Sequence, residues 1–183
     1  MKIRVIVPCY NEGEVVLKTY DKLTEIMKKD SLIKNYEYDL LFINDGSTDT
    51  TIHHIKNIVA YDNHVKYLSF SRNFGKEAAM IAGYQHSTMH DAVIMIDGDL
   101  QHPPEYIPQM IEGYIEGYDQ VVAKRNRQGE NFVRKTLSRC YYKLINAFVE
   151  DIQFEDGVGD FRLLSRRAVQ ALTTLDEYNR FSK

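Results

Sequence analysis

The chain has 183 residues, a formal net charge of −3, 44% hydrophobic and 27% charged residues, and only four prolines. That balance describes a folded chain long enough for one sizeable core and excludes a disordered or low-complexity segment. Its slight negative charge excludes broad attraction to a phosphate backbone, so no nucleic-acid partner is expected.

Two cysteines, Cys9 and Cys140, cannot build a disulfide framework and read as buried free thiols. No apolar run approaches the ~20 residues of a membrane span. Met1 leads straight into a strand without a signal peptide, so the chain is expected to be a soluble piece facing the cytosol.

The first expected strand is Ile3 to Val7, a β-branched run closed by Pro8. Val15, Val16, Tyr20, Leu23 and Ile26 then recur at helical spacing. A second strand, Tyr38 to Ile43, is closed by Asn44-Asp45-Gly46, and Ser47 offers an N-cap to a helix carrying Ile52, Ile55 and Val59. Val65 to Phe70 reads as a third strand and Ala78 to Tyr84 as the helix after Gly75. A fourth strand, Ala92 to Ile96, is followed by a helix from Tyr106 to Tyr114 started by Pro103-Pro104, and Gln120 to Ala123 gives a fifth. Strands alternating with single helices imply an α/β fold with a doubly wound, mainly parallel sheet, helices on both faces and 1–183 as a single domain.

From about Asn126 the alternation stops. Asn126 to Asn131 reads as a mobile polar loop, and Val133, Leu137, Tyr141, Leu144 and Phe148 form one stripe of a long helix. Asp156 to Arg162 is a second glycine-and-acid segment, followed by a final helix near Arg166 to Leu175. The chain ends at Lys183 without a closing element, as either a truncated chain or one with a naturally frayed terminus would.

The chemistry concentrates at Asp97-Gly98-Asp99. In extended backbone residues i and i+2 share a side, so the two carboxylates converge while Gly98 adds no side chain. Two hard oxygen ligands that leave coordination positions open suit Mg²⁺ or Mn²⁺ bridging to substrate phosphates. An isolated Asp-Gly-Asp is as well explained as a solvated turn. Here, however, every conspicuous polar motif falls at the carboxyl end of an expected strand, where doubly wound sheets bind ligands. They are Pro8-Cys9-Tyr10-Asn11-Glu12, Asn44-Asp45-Gly46-Ser47-Thr48-Asp49, Ser71-Arg72-Asn73-Phe74-Gly75-Lys76 and Asp97-Gly98-Asp99. Together they describe a crevice for a metal-bound nucleotide diphosphate, with Arg72 and Lys76 as its cations. Dinucleotide and P-loop readings lack their glycine-rich and lysine motifs. His54, His64, His86 and His90 show no joint metal spacing and read as surface residues, while His102 shapes the turn after the acidic pair.

These four motifs, with Arg72-Asn73-Phe74-Gly75-Lys76-Glu77-Ala78-Ala79 and Asp97-Gly98-Asp99-Leu100-Gln101-His102-Pro103-Pro104-Glu105 the most specific, resemble the family 2 glycosyltransferases of GT-A fold. The nearest likeness is to the polyprenyl-phosphate branch, which includes dolichol-phosphate mannose synthases and bactoprenol glycosyltransferases. The resemblance implies that Pro8, Tyr10, Glu12 and Asp45 hold the nucleotide, joined by Lys76, and that Asp97 and Asp99, helped by Gln101, hold Mg²⁺ or Mn²⁺. It places Asp160 as a base or acceptor-site carboxylate, against the plainer reading of a turn residue paired with Arg162. Arg125, Arg134 and Ser138 would contact an acceptor phosphate, the last two lying one helical turn apart.

The implied activity is inverting transfer of a sugar from a UDP- or GDP-sugar to a polyprenyl phosphate such as undecaprenyl phosphate. It would occur at the cytoplasmic face of a membrane that the chain reaches through C-terminal helices beyond Lys183. Self-association into a homo-oligomer is compatible with the sequence. The alternatives are transfer to a saccharide or protein hydroxyl, and a non-catalytic nucleotide-sugar-binding subunit.

Overall fold

A computed structural model describes residues 1–124 and 158–174. The expected loop at 126–131, the helix carrying Val133 to Phe148, Cys140, and the proposed phosphate contacts Arg125, Arg134 and Ser138 lie outside the described residues.

In chain order the elements are β1 (Lys2–Cys9), α1 (Val16–Lys34), β2 (Glu37–Asn44), α2 (Thr51–Tyr61), β3 (Val65–Ser69), α3 (Lys76–Gln85) and β4 (Ala92–Met95). A 3₁₀ turn (Pro104–Tyr106) leads into α4 (Ile107–Ile115), followed by β5 (Gln120–Lys124), β6 (Val158–Ser165) and α5 (Arg166–Thr174). The six strands form one sheet in the order β3-β2-β1-β4-β6-β5. β1 pairs in parallel with both β2 and β4, and β2 with β3, whereas β6 runs antiparallel to β4 and β5. The sheet is therefore mixed, and β6 corrects the expectation that 156–162 is only a glycine-and-acid segment. Gly159 and Asp160 disfavour a strand locally, but pairing on both sides and burial of Phe161, Leu163 and Leu164 override that preference.

Alternation along the strands builds two apolar layers. Ile3, Val5 and Val7 of β1 join Leu40 and Phe42 of β2, Ala92 and Ile94 of β4, and Phe161 and Leu163 of β6 beneath α1, α2 and α4. Ile6, Leu41, Ile43, Val93, Met95 and Leu164 point the other way, onto Ala79, Met80 and Tyr84 of α3 and Val169 of α5. Each fully buried Ile, Leu or Phe contributes about 1.5–3 kcal/mol over an exposed one. Apolar burial thus holds the strands in place, and their carboxyl ends are left for polar chemistry.

Two local readings are corrected. Ser47 does not cap α2, which begins at Thr51; the Asp49 carboxylate instead accepts the Thr51 N–H at 2.9 Å. His90 is not a surface residue but only 5% exposed. Its Nε2 lies 3.2 Å from Asp39, whose carboxylate also accepts from Arg4 Nε at 2.5 Å and Nη2 at 2.8 Å. Arg4 and Asp39 face each other in the β1–β2 register, which is why two buried charges meet there. Burial alone would raise the Asp39 pKa, but the hydrogen bonds from Arg4 and His90 hold it well below the usual carboxylate range.

Candidate active site

From β1 the chain passes to its neighbour β2 and then to β3, whereas β4 lies on the other side of β1. The strand order therefore reverses between β1 and β4, and a crevice opens at their carboxyl ends. It holds about 640 Å³ of empty space and is lined from β1 by Pro8, Cys9, Tyr10 and Glu12, and from the β4 end by Asp97 and Asp99. Asp45, Asn73, Gly75, Lys76 and Ala79 complete the wall. Every expected nucleotide residue is thus on one surface with the expected metal pair.

The loops are stitched together by their own polar groups. Asn11, in a left-handed conformation at φ 54°, presents its N–H to Ser47 Oγ at 3.0 Å and accepts the Thr48 N–H at 2.9 Å. Glu12 N–H donates to Thr51 Oγ1 at 2.8 Å and Gly13 N–H to Asp49 Oδ2 at 2.9 Å. Asp45 is buried, and its two oxygens accept the Phe74 and Gly75 N–H groups at 2.7 and 2.9 Å. A carboxylate has about four acceptor sites, so these bonds pin the 72–76 loop without exhausting Asp45. The same loop crosses Gly46, where φ is +65° and an added Cβ would meet the Arg72 carbonyl carbon at 2.2 Å; only glycine fits that crossing.

Around the acidic pair the tertiary structure assembles more than the motif contains. Gly98 leaves room for the Glu12 carboxylate, since a Cβ there would lie 2.1 Å from Glu12 Oε2. Its carbonyl accepts the Thr19 hydroxyl at 2.6 Å, so α1 supports the turn. Glu12 is therefore a third carboxylate beside Asp97 and Asp99, and its buried Oε2 has no hydrogen-bond partner. Burial first, then the charges of Asp99 and Asp97, push its pKa up to about 7. Burial and the neighbouring Glu12 likewise hold the Cys9 thiol well above its usual range, which keeps it protonated and unreactive.

Asp97 Oδ1 accepts from Lys76 Nζ at 2.6 Å, and the same ammonium reaches Asp160 Oδ2 at 2.8 Å. His102 Nδ1 lies 3.6 Å from the other Asp97 oxygen, and its ring leans on Phe161 with centroids 5.7 Å apart. Asp99 is exposed and accepts the Gln101 N–H at 3.0 Å, so Gln101 enters the turn through its backbone. Arg162 is 3.7 Å from Asp160, but the shorter contact is with Lys76. Sequence reasoning set His102 aside as a turn residue and placed Glu12 with the nucleotide alone. The structure adds a contact of His102 with Asp97 and sets Glu12 beside the acidic pair, because β1 and β6 flank β4, and neither adjacency leaves a mark in the motifs.

Among the described residues no three carboxylate, imidazole or thiol groups surround one point. Two carboxylates with a third nearby, one buried oxygen without a partner, and an open cleft nevertheless fit a hard cation that keeps waters and takes the rest of its ligands from a diphosphate.

Residues 4–173 match the family model described as glycosyl transferase family 2. The chain is 54% identical over 181 residues to CsbB of Bacillus subtilis (strain 168), a protein named as a glycosyltransferase, covering 99% of this chain and 53% of that one. It is 43% identical over 184 residues to the bactoprenol glucosyl transferase of Shigella phage SfX, covering 100% of this chain and 58% of that one. The chain therefore spans about half the length of these curated relatives. Among solved structures, mannosyl-3-phosphoglycerate synthase from Rubrobacter xylanophilus superposes with a TM-score of 0.67 at 19% identity, over 91% of this chain and 54% of that one. The mannosyltransferase PcManGT from Pyrobaculum calidifontis, in complex with GDP-Man and Mn²⁺, gives 0.63 at 16% identity, over 93% and 46%. These likenesses show a shared GT-A fold.

Proposed function

Because the chain belongs to glycosyl transferase family 2, we propose that it transfers a sugar, with inversion, from a UDP- or GDP-sugar to a polyprenyl phosphate at the cytoplasmic face of a membrane. The observation that carries this reading is the cleft at the β1–β4 reversal, where Glu12, Asp97, Asp99 and Lys76 line one space. The polyprenyl acceptor is supported by the bactoprenol glucosyl transferase name of a relative that aligns with the whole chain. Membrane association rests on the same relative; among the described residues no helix is long and apolar enough to cross a membrane.

In this reading Pro8, Tyr10, Glu12 and Asp45 hold the nucleotide, with Asp45 also shaping the loop that presents Lys76. Mg²⁺ or Mn²⁺ held by Asp97 and Asp99 supplies charge neutralisation on the leaving diphosphate. Lys76 adds a positive charge on the same side, and Gln101 orders the turn that carries Asp99. A phosphate acceptor, with a second pKa near ~6, is already largely ionised at neutral pH and needs no base. Asp160 therefore positions the acceptor, a role it reaches from β6 across the mouth of the cleft. Arg125, Arg134 and Ser138 are proposed as the acceptor-phosphate contacts.

The test is product analysis with UDP- and GDP-sugars against polyprenyl phosphate, saccharide and peptide acceptors. A glycosyl-phosphoryl-polyprenol product is expected. Transfer confined to hydroxyl acceptors, with Asp160 indispensable, would replace this reading by the hydroxyl-transfer one, and donor binding without any turnover would make the chain a binding subunit.

A further inference from the structure

We infer that Lys76 is a resident counter-ion that occupies Asp97 in the empty site and gives it up to a divalent cation arriving with the donor's diphosphate. This rests on the functional reading above and deepens it by stating how the acidic pair distinguishes free metal from metal carried by a nucleotide.

The geometry points to exchange. One ammonium serves two carboxylates, 2.6 Å from Asp97 just after β4 and 2.8 Å from Asp160 on β6. Lys76 is the first residue of α3, follows Gly75 at φ 94° and keeps a 43% exposed side chain. Its stem can swing across the cleft while Ala79 and Met80 keep the helix buried. A free ion approaching the pair meets Asp97 already compensated and Asp99 sharing one oxygen with the Gln101 N–H. It must displace an ammonium that is then left with Asp160 as its one remaining carboxylate of the two. A metal–diphosphate complex brings a new acceptor with it: Asp97 exchanges ammonium for metal, and Lys76 exchanges Asp97 for a phosphate oxygen. As Lys76 turns toward the diphosphate its bond to Asp160 is exchanged as well, which leaves that carboxylate beside Arg162, 3.7 Å away.

The experiment measures Mn²⁺ binding by electron paramagnetic resonance, in which free Mn²⁺ gives the sharp signal. It uses the intact wild-type protein, Lys76→Met and Lys76→Arg, each with Mn²⁺ alone, with Mn²⁺ and UDP, and with Mn²⁺ and GDP. Removing a charge in contact with Asp97 is expected to tighten binding of Mn²⁺ alone by about tenfold and to weaken the Mn²⁺–nucleotide complex by about tenfold. Lys76→Arg, which keeps the charge, is expected to stay near wild type with Mn²⁺ alone. Thermal unfolding checks each variant, and Lys76→Gln replaces Met should that protein not fold. Binding of Mn²⁺ alone that is unchanged or weaker in the neutral variant overturns the inference. Failure of the wild type to bind Mn²⁺ with either nucleotide overturns the functional reading instead, and the two results are read from different samples.

Discussion

Glu12 makes the empty protein less stable at neutral pH than its fold requires. Its carboxyl is buried, with one oxygen unpartnered, and is crowded by Asp99 and Asp97, so its pKa rises from 4.5 to about 7. Between those two values the folded protein retains a proton that the unfolded chain has released. Stability therefore falls as pH rises through that window and levels off above it. The full interval corresponds to about 3 kcal/mol, and water in the open cleft screens part of it, so about 2 kcal/mol is expected. Glu12→Gln keeps the shape and cannot ionise. In chelator-treated protein, urea denaturation should give equal stabilities for wild type and variant near pH 4.5 and a variant more stable by about 2 kcal/mol at pH 8. A difference that does not change with pH, or a variant less stable at pH 8, would refute the reasoning, because it would mean that burial and the charges of Asp99 and Asp97 do not together hold a proton on Glu12.

Asp99→Asn is expected to lower transfer by on the order of 100-fold or more and to remove metal-dependent nucleotide binding with the fold intact; calorimetry showing unchanged Mn²⁺-dependent UDP or GDP affinity would count against the metal assignment. Gly46→Ala should destabilise by about 2–4 kcal/mol in urea denaturation, since φ is +65° and the obstructing atoms are Arg72 and Asn73 backbone that cannot swing aside. A loss under about 0.5 kcal/mol, the range of neutral surface changes, would contradict that close crossing. Asp39→Asn leaves the buried Arg4 guanidinium without its carboxylate and should cost about 3–5 kcal/mol, measured in the same way at pH 7.

Strand and helix identity were set by local composition wherever the residues on one face agreed. Ile3 to Val7, Tyr38 to Ile43 and Ala92 to Ile96 read as strands because β-branched and aromatic runs end at Pro8, Asn44-Asp45-Gly46 and Asp97-Gly98-Asp99, and β1, β2 and β4 stand there, β4 ending at Met95. Asp97 and Asp99 do line one cleft, but they stand in the turn after β4 and not in extended backbone, so strand parity is not what places them there. Ser47 was misread because capping depends on where the helix begins, and α2 begins four residues later, with Asp49 bonded to its first N–H.

Neighbour relations are different in kind. No local preference states that β4 lies beside β1 or that β6 returns antiparallel next to β4, because those pairings are chosen by how the two apolar layers close together. That choice brings Lys76 to Asp160 across 84 positions, lays Glu12 against Gly98, and leans His102 on Phe161. It also buries His90 beside Asp39, 51 positions away, although nothing near His90 in the chain marks it as a core residue. Sequence alone therefore determined which residues carry charge at the strand ends, and only the tertiary structure decided which of those charges meet, since electrostatic coupling depends on distance in space and not along the chain.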